Sequence, residues 1–142
     1  MKNFLIVIAF LLALHDSGLA CSCMPPGKPS EEMKESAAVF SGRVVEIRRN
    51  QRTDDFFARV EAVIEVERVW KGVEKATVSV FTSSDSAACG YGFKEGETYL
   101  VYASGDKEGR LLTTICTRTR RMKDAGEDLK ELGPGKEIAE RK

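Results

Sequence analysis

The sequence predicts a mainly β fold: a small five-stranded, OB-fold-like Greek-key barrel with short flanking helices. Apolar residues alternate with polar ones at period two in several stretches, and turn residues separate these stretches at short intervals. Helical periodicity is confined to two short segments. The five-stranded OB barrel matches this size and strand count, although strand count alone also fits a small sandwich.

The strand pattern is clearest over residues 59–67, where every second residue is apolar. Such alternation predicts a strand with one buried and one solvated face. The apolar members are Val60, Ala62, Ile64 and Val66. The other predicted strands are 39–48 with a bulge at Gly42, 76–80, 98–103 and 111–116. We expect the strands to follow one another in antiparallel order.

Two short helices are predicted outside the strands. Ser30 can cap the first helix, whose inner face would carry Met33, Ala37 and Phe40. An apolar helical face predicts the second helix, which stops before Gly133. The members of that face are Met122, Ala125, Leu129 and Leu132.

The start of the chain has the features of a secretion signal. Lys2 precedes an apolar run at 4–14, and Gly18 and Ala20 occupy positions −3 and −1 of a cut after Ala20. The apolar run is too short to span a bilayer. The predicted divisions are a signal peptide over 1–20, one domain over 21–134 and a charged, frayed tail over 135–142.

The composition excludes several classes of function. The chain carries 22 basic and 22 acidic residues, so no basic excess indicates a nucleic-acid partner or an anionic membrane surface. His15 is the only histidine and lies in the leader, which excludes histidine-based catalysis and histidine metal sites from the mature chain. Paired carboxylates could in principle catalyse hydrolysis, but no spacing singles out a pair. We expect no enzyme, no catalytic residue and no cofactor.

A Cys-x-Cys motif follows the leader directly. Cleavage after Ala20 would make Cys21 the first residue, with its α-amine, carbonyl and sulfur all at the terminus. Together with Cys23, Cys89 and Cys116, it makes an even number of cysteines, which in an exported chain predicts two disulfides. Four cysteines allow three pairings, which stay open at this point, although the strain of a Cys21–Cys23 ring argues against the local one. A Cys₄ zinc site is the weaker alternative, because zinc knuckles normally use C-x₂-C pairs.

Lipidation of Cys21 is a competing fate for a cysteine behind a leader. The usual lipobox has a branched apolar residue at −3, where this chain has Gly18. We therefore expect plain cleavage and no membrane attachment unless Cys21 is lipidated. A lipidated sulfur could not form a disulfide.

These residues resemble the N-terminal domain of the tissue inhibitors of metalloproteinases (TIMP), within the wider family of netrin-like (NTR) modules. That family's mature chain begins Cys-x-Cys-x-Pro, as residues 21–25 do here. Its third cysteine is followed by glycine, as in Cys89-Gly90, and then by a strand similar to 99–101. Its fourth cysteine ends the next strand, as Cys116 does. The resemblance covers essentially the whole mature chain, in a single-domain form.

The resemblance implies the disulfides Cys21–Cys89 and Cys23–Cys116. It also implies a secreted inhibitor of zinc metalloendopeptidases in which the amine and carbonyl of Cys21 bind the zinc of the target protease. Ser22 would point into the S1′ pocket. The other implied contact residues are Cys23, Met24 and Pro25 in the terminal segment and Ser86, Ala87 and Ala88 in the loop before Cys89. We expect a monomer in an extracellular or periplasmic location.

Two other functions stay open at the level of the sequence. Netrin-like modules share the fold without sharing the activity, so the alternative is a non-inhibitory module that binds a protein or a glycan. A thiol redox or metal-handling protein using free Cys21 and Cys23 is a third hypothesis. The chain also departs from the animal inhibitors, whose further disulfide anchors the first helix: no cysteine lies between Cys23 and Cys89 here.

Overall fold

The computed structural model describes residues 21–50, 54–55 and 58–138, so the predicted leader lies outside the described residues. Five strands of the described chain form a closed barrel. They are β1 (Ala38–Arg49), β2 (Val60–Lys71), β3 (Thr77–Thr82), β4 (Thr98–Gly105) and β5 (Leu111–Leu112). The helices are α1 (Pro29–Glu35) and α2 (Gly126–Leu132), and the short strands β6 (Arg120–Arg121) and β7 (Lys136–Glu137) extend the sheet. The predicted mainly β, OB-fold-like barrel is confirmed.

The barrel closes because β1 pairs with two strands at once. Phe40 lies opposite Val69 of β2 on one side and opposite Val101 of β4 on the other. Next to it, the register with β2 shifts between Ser41 and Gly42, which confirms the predicted bulge. A Cβ at Gly42 would lie 2.3 Å from the carbonyl oxygen of Glu65, so only glycine fits where the strands approach this closely.

The expected antiparallel order is wrong at one place. β5 lies between β3 and β4, antiparallel to β4 but parallel to β3, with Val80 opposite Leu111. Strand direction cannot alternate all the way round a closed ring of five strands, so one neighbouring pair must be parallel. Here that pair is β3 and β5, whereas β2 is antiparallel to both β1 and β3.

The main core fills the barrel interior. All four apolar members of the β2 alternation are buried, as the period-two pattern predicts. Full burial of one such side chain stabilises the fold by about 1.5–3 kcal/mol. The buried residues of this core are Ala38, Phe40, Val44, Ala62, Ile64, Val66, Val80, Phe93, Tyr99, Val101 and Ala103.

A second core lies between the barrel wall and the two helices. The buried Val39, Leu100 and Tyr102 project from β1 and β4 against Ala125. Residues packed around them are Met33, Trp70, Met122, Leu129 and Leu132. The apolar face predicted for the second helix therefore does pack inward. Its first part is a separate 3₁₀ turn, Met122–Asp124, and α2 begins at Gly126.

The first helix differs from its prediction at both ends. It begins at Pro29, with Lys28 and not Ser30 at the N-cap position. Proline suits the first helical position because its missing N–H would have had no partner there. The chain changes to strand at Ala38, so the predicted inner face is wrong beyond Met33: Ala37 is exposed and Phe40 points into the barrel.

The strand predicted over 111–116 stops after Leu112. Threonine hydroxyls take over the hydrogen bonding beyond it: Thr114 Oγ1 accepts from the amide of Cys116, and Thr117 Oγ1 donates to the carbonyl of Thr114. Such local side-chain bonds compete with a strand ladder, which explains the early end. The predicted strand over 76–80 is displaced to Thr77–Thr82, and Ala76 is exposed.

The beginning of the predicted charged tail is ordered as a strand. Lys136 and Glu137 pair with Val69 and Arg68 of β2, and Arg68 forms an ion pair with Glu137 at 3.1 Å. Trp70 Nε1 donates to the carbonyl of Gly133 at 3.0 Å. These contacts hold the chain against the barrel as far as Ile138, where the described residues end.

Candidate functional site

The N-terminal segment, residues 21–28, runs over the surface without helix or strand. Ser22, Cys23, Pro25 and Pro26 are exposed, and the side chain of Met24 is 86% exposed. The two prolines restrict the backbone that follows Cys23. The segment therefore presents a stiff, extended row of side chains to solvent.

Two disulfides fix this segment to the barrel. Cys21 is bonded to Cys89 and Cys23 to Cys116, with Cα–Cα distances of 5.3 and 5.1 Å. The sulfurs of Cys21 and Cys116 lie 4.0 Å apart, so the two bonds are neighbours. This is the pairing that the family resemblance implied. All four cysteines are thereby bonded, which leaves no thiol for the Cys₄ zinc site or the redox function.

The loop that receives Cys21 is a 3₁₀ turn, Ser86–Ala88. Asp85 Oδ1 accepts from the amide of Ala87 at 2.8 Å and caps the turn, and Cys89 closes it in the left-handed conformation with φ 59°. Ser86 and Ala87 are exposed and Ala88 is half-buried. The bond to Cys89 places this turn next to the terminal segment, so the predicted contact residues of the two stretches lie on neighbouring parts of the surface.

The loop that receives Cys23 is tied to the first loop. The amide of Ile115 donates to the carbonyl of Cys89 at 2.9 Å, which joins the partners of the two terminal cysteines. We call residues 21–25, 86–89 and 115–116 together the disulfide ridge. Next to Cys89, position 90 requires glycine, because a Cβ there would lie 2.2 Å from the carbonyl oxygen of Ser83.

The disulfide ridge exposes apolar surface. Three large apolar side chains are exposed among the described residues: Met24 at 86%, Ile115 at 48% and Val45 at 38%. Two of the three belong to the ridge. Ile115 was missed by the sequence analysis, which assigned it to a strand. The threonines around it favour strand by propensity, so the sequence carried no clear signal for this exposed loop.

The inner end of the N-terminal segment is fixed by polar contacts. Arg118 Nη1 donates to the carbonyl oxygen of Gly27 at 2.9 Å, and the amide of Gly27 donates to Glu32 Oε1 at 2.7 Å. Arg118 in turn pairs with Asp128 of α2, at 2.7 Å from Nε to Oδ1. No motif or periodicity in the sequence indicates Arg118 or Asp128.

Asp128 is ionised although its side chain is wholly buried. Burial by itself would raise the pKa of this carboxyl group, but hydrogen bonds from Arg118 and from the hydroxyl of Tyr102 outweigh it, so the pKa lies below its ordinary value. The same ion pair raises the pKa of Arg118, which keeps the guanidinium charged. A carboxylate with these donors is a fixed anchor for the arginine.

These features define a class of protein: a closed five-stranded barrel whose N-terminal Cys-x-Cys segment is tethered by two disulfides to two neighbouring loops. The family model of the tissue inhibitors of metalloproteinases, described as "Tissue inhibitor of metalloproteinase", matches residues 19–128. The chain belongs to this family.

The curated relatives of this chain match it at low sequence identity. Metalloproteinase inhibitor 2 of Homo sapiens is 26% identical over 118 residues, which cover 79% of this chain and 52% of that protein. The Rattus norvegicus protein of the same name is 25% identical over the same length. The Canis lupus familiaris one is 24% identical over 103 residues, or 68% of this chain and 46% of that protein. The chain thus spans about half the length of the curated relatives it matches.

Proposed function

We propose that this protein is a secreted, non-enzymatic inhibitor of zinc metalloendopeptidases that acts through its disulfide ridge. The observation that carries the proposal is the double tether: Cys21 and Cys23 are both bonded to the barrel, and Ser22 and Met24 are exposed beside them. The family assignment and the names of the relatives support inhibition of metalloproteases as the general activity.

The chemistry follows from cleavage after Ala20. A catalytic zinc ion keeps one coordination position for water. The α-amine and carbonyl of Cys21 would form a five-membered chelate ring at that position. The amine must lose its proton to bind, and α-amines titrate at about 7.7–8.0, so chelation becomes intrinsically more favourable as the pH rises. The metal involved belongs to the protease, and the inhibitor supplies only backbone ligands.

The disulfide ridge would occupy the cleft of the protease on both sides of the zinc. Ser22 is small and exposed and would enter the S1′ pocket, with Met24 and Pro25 following along the cleft. Ser86, Ala87 and Ala88 would line the opposite side. Because the disulfides already order these parts, little conformational entropy is lost on binding.

Export is part of the proposal. Two disulfides are stable only in an oxidising compartment, which is consistent with a secreted or periplasmic monomer. Neither helix of the described chain is long and apolar enough to cross a membrane.

The decisive experiment changes the terminus alone. The protein is exported with its natural leader, and its intact mass establishes cleavage after Ala20, two disulfides and the absence of lipid. A second form carries one extra alanine before Cys21. We expect the native form to inhibit members of a panel of zinc metalloendopeptidases, and the extended form to be weaker by at least about 100-fold, or about 2.7 kcal/mol. Thermal stability should be equal in the two forms, because the added alanine precedes Cys21 and leaves both disulfides in place.

Ser22→Gly is the matched control, because it removes a side chain from the cleft and leaves both zinc ligands in place. It should weaken inhibition far less than the extension does. Equal inhibition by the native and extended forms would rule out chelation. A native form that inhibits no protease of the panel would favour the alternative function, a binding module with a stapled terminus.

A further inference from the structure

A buried ion pair outside the disulfide ridge contacts the N-terminal segment. Asp128 on α2 is 0% exposed, and Arg118, in the loop between β5 and β6, is 6% exposed. Arg118 donates to both oxygens of Asp128, from Nε at 2.7 Å and from Nη2 at 3.1 Å. The hydroxyl of Tyr102 on β4 adds a third hydrogen bond at 2.9 Å.

Stability alone is a weak reason for such a pair. Removing two charges from water costs about as much as their attraction returns, and apolar replacements of similar volume are often neutral or stabilising. What the pair does provide is a fixed orientation, because a guanidinium group bonded to both carboxylate oxygens cannot rotate. The third guanidinium nitrogen of Arg118, Nη1, does not contact Asp128 and is left to donate elsewhere.

That donor reaches the N-terminal segment. Arg118 Nη1 donates to the carbonyl oxygen of Gly27 at 2.9 Å, across 91 positions of sequence. The amide of Gly27 donates to Glu32 Oε1 at 2.7 Å, so both backbone polar groups of this residue have a side-chain partner. Gly27 is thus a third fixed point of the segment, after Cys21 and Cys23.

The third point controls a degree of freedom that the disulfides leave open. Both disulfides fix the segment at its beginning, and Met24, Pro25 and Pro26 extend beyond them over exposed surface. The next fixed element is α1, which begins at the buried Pro29, so a chain held at Cys23 and Pro29 alone could still shift the path of the residues between them. With Gly27 also fixed, the row from Met24 to Pro26 spans two close anchors and has one direction.

We propose that Arg118 is a positioning residue that sets the direction of the N-terminal segment through the carbonyl of Gly27, with Asp128 fixing the arginine. Its consequence for inhibition rests on the proposed function. The orientation itself is a property of the free protein and is measured without any protease.

The test removes the anchor without leaving a buried charge. Arg118→Met alone would strand the carboxylate of Asp128 and could unfold the protein, so the variant combines Arg118→Met, Asp128→Leu and Tyr102→Phe. Tyr102→Phe alone is the matched control, since it keeps the arginine between Asp128 and Gly27. Intact mass and peptide mapping first establish that both disulfides are present in each form.

The readout is the backbone ¹⁵N order parameter of each amide in the free protein. In the wild type and in Tyr102→Phe, Met24 and Gly27 should show the rigid value of about 0.85, whereas in the triple variant they should fall below about 0.6. The amides of β2 are the internal reference and should stay rigid in all three forms. Inhibition of a sensitive protease should weaken by about tenfold in the triple variant alone, because a mobile segment must be ordered on binding.

The order parameters test the positioning role, and the inhibition data test the proposed function, so either can fail without the other. If Met24 and Gly27 stay as rigid in the triple variant as in the wild type, the positioning role is wrong, whatever the inhibition data show. If the wild type inhibits no protease while these amides become mobile in the triple variant, the proposed function fails and the positioning role of Arg118 stands.

Discussion

The barrel interior and the disulfide ridge are held together by different forces. The interior consists of apolar side chains such as Phe40, Ile64 and Val101, each excluded from solvent and packed against its neighbours. The ridge has exposed side chains, among them Met24 and Ile115, and is fixed by two disulfides and single hydrogen bonds. One region gains stability from burial, whereas the other is ordered by links at a few atoms.

The difference shows how a surface segment can be both exposed and rigid. Apolar packing cannot order a segment whose side chains face solvent. Covalent bonds can, because each one fixes a point of the segment against the barrel and needs no burial. The charged contact from Arg118 to Gly27 works in the same way, through the backbone and not through the exposed side chains.

Removing the first tether should have the largest effect on stability. The variant combines Cys21→Ala with Cys89→Ala, which keeps the terminal amine and carbonyl and opens a link between residues 68 positions apart. The chain-entropy model gives a loss of about 4 kcal/mol in the free energy of unfolding, measured by denaturant titration. Inhibition should weaken as well, because the zinc ligands are no longer held in place. Wild-type inhibition by this variant would show that the first tether is dispensable.

A core substitution should reduce stability with no effect on the ridge. Ile64→Ala deletes a wholly buried side chain in β2 and should cost about 3 kcal/mol in the free energy of unfolding. Under conditions in which the variant stays folded, its inhibition constant should equal that of the wild type. A large change in that constant would mean that the barrel interior and the ridge are coupled.

The same difference explains how much the sequence could predict. Period-two alternation marks a buried face, so the strand over 59–67 and its four inward residues were correctly predicted. The cysteine motif, through the family resemblance, indicated the tethers. Both signals are carried by residue type and spacing along the chain.

What the sequence could not predict depends on contacts between distant residues. The pair between Arg118 and Asp128 and its bond to Gly27 have no periodicity, and each residue alone resembles a surface charge. The end of β5 was missed for a related reason: Thr114 and Thr117 have good strand propensity, but their hydroxyls bond locally in the loop. The parallel pairing of Val80 with Leu111 likewise follows from barrel closure and has no local signature.

Acid should weaken the contact between α2 and the N-terminal segment. The pKa of Asp128 is lower in the folded protein than its ordinary value, so the unfolded chain binds its proton first as the pH falls. The contribution of Asp128 to stability is therefore complete at neutral pH, declines below about pH 4 and is lost once the pH passes its folded pKa. The measurement is the free energy of unfolding between pH 7 and pH 3.

Asp128→Asn is the control for this prediction. It should be less stable than the wild type at neutral pH, and the difference between the two proteins should shrink on acidification. A difference that stays constant over the whole range would show that the charge of Asp128 does not contribute.

The smallest effect on stability is expected at Met24, and it gives the sharpest contrast with the core. With 86% of its side chain exposed, Met24→Ala should change the free energy of unfolding by less than about 0.5 kcal/mol, and Val45→Ala on β1 should do the same. Only Met24 lies on the disulfide ridge, so only its truncation should weaken inhibition, by about tenfold if the side chain becomes buried against the protease. Equal inhibition by both variants would mean that Met24 stays exposed in the complex. The apolar surface of the ridge would then have to act through Ile115, whose substitution by alanine is the next variant to measure.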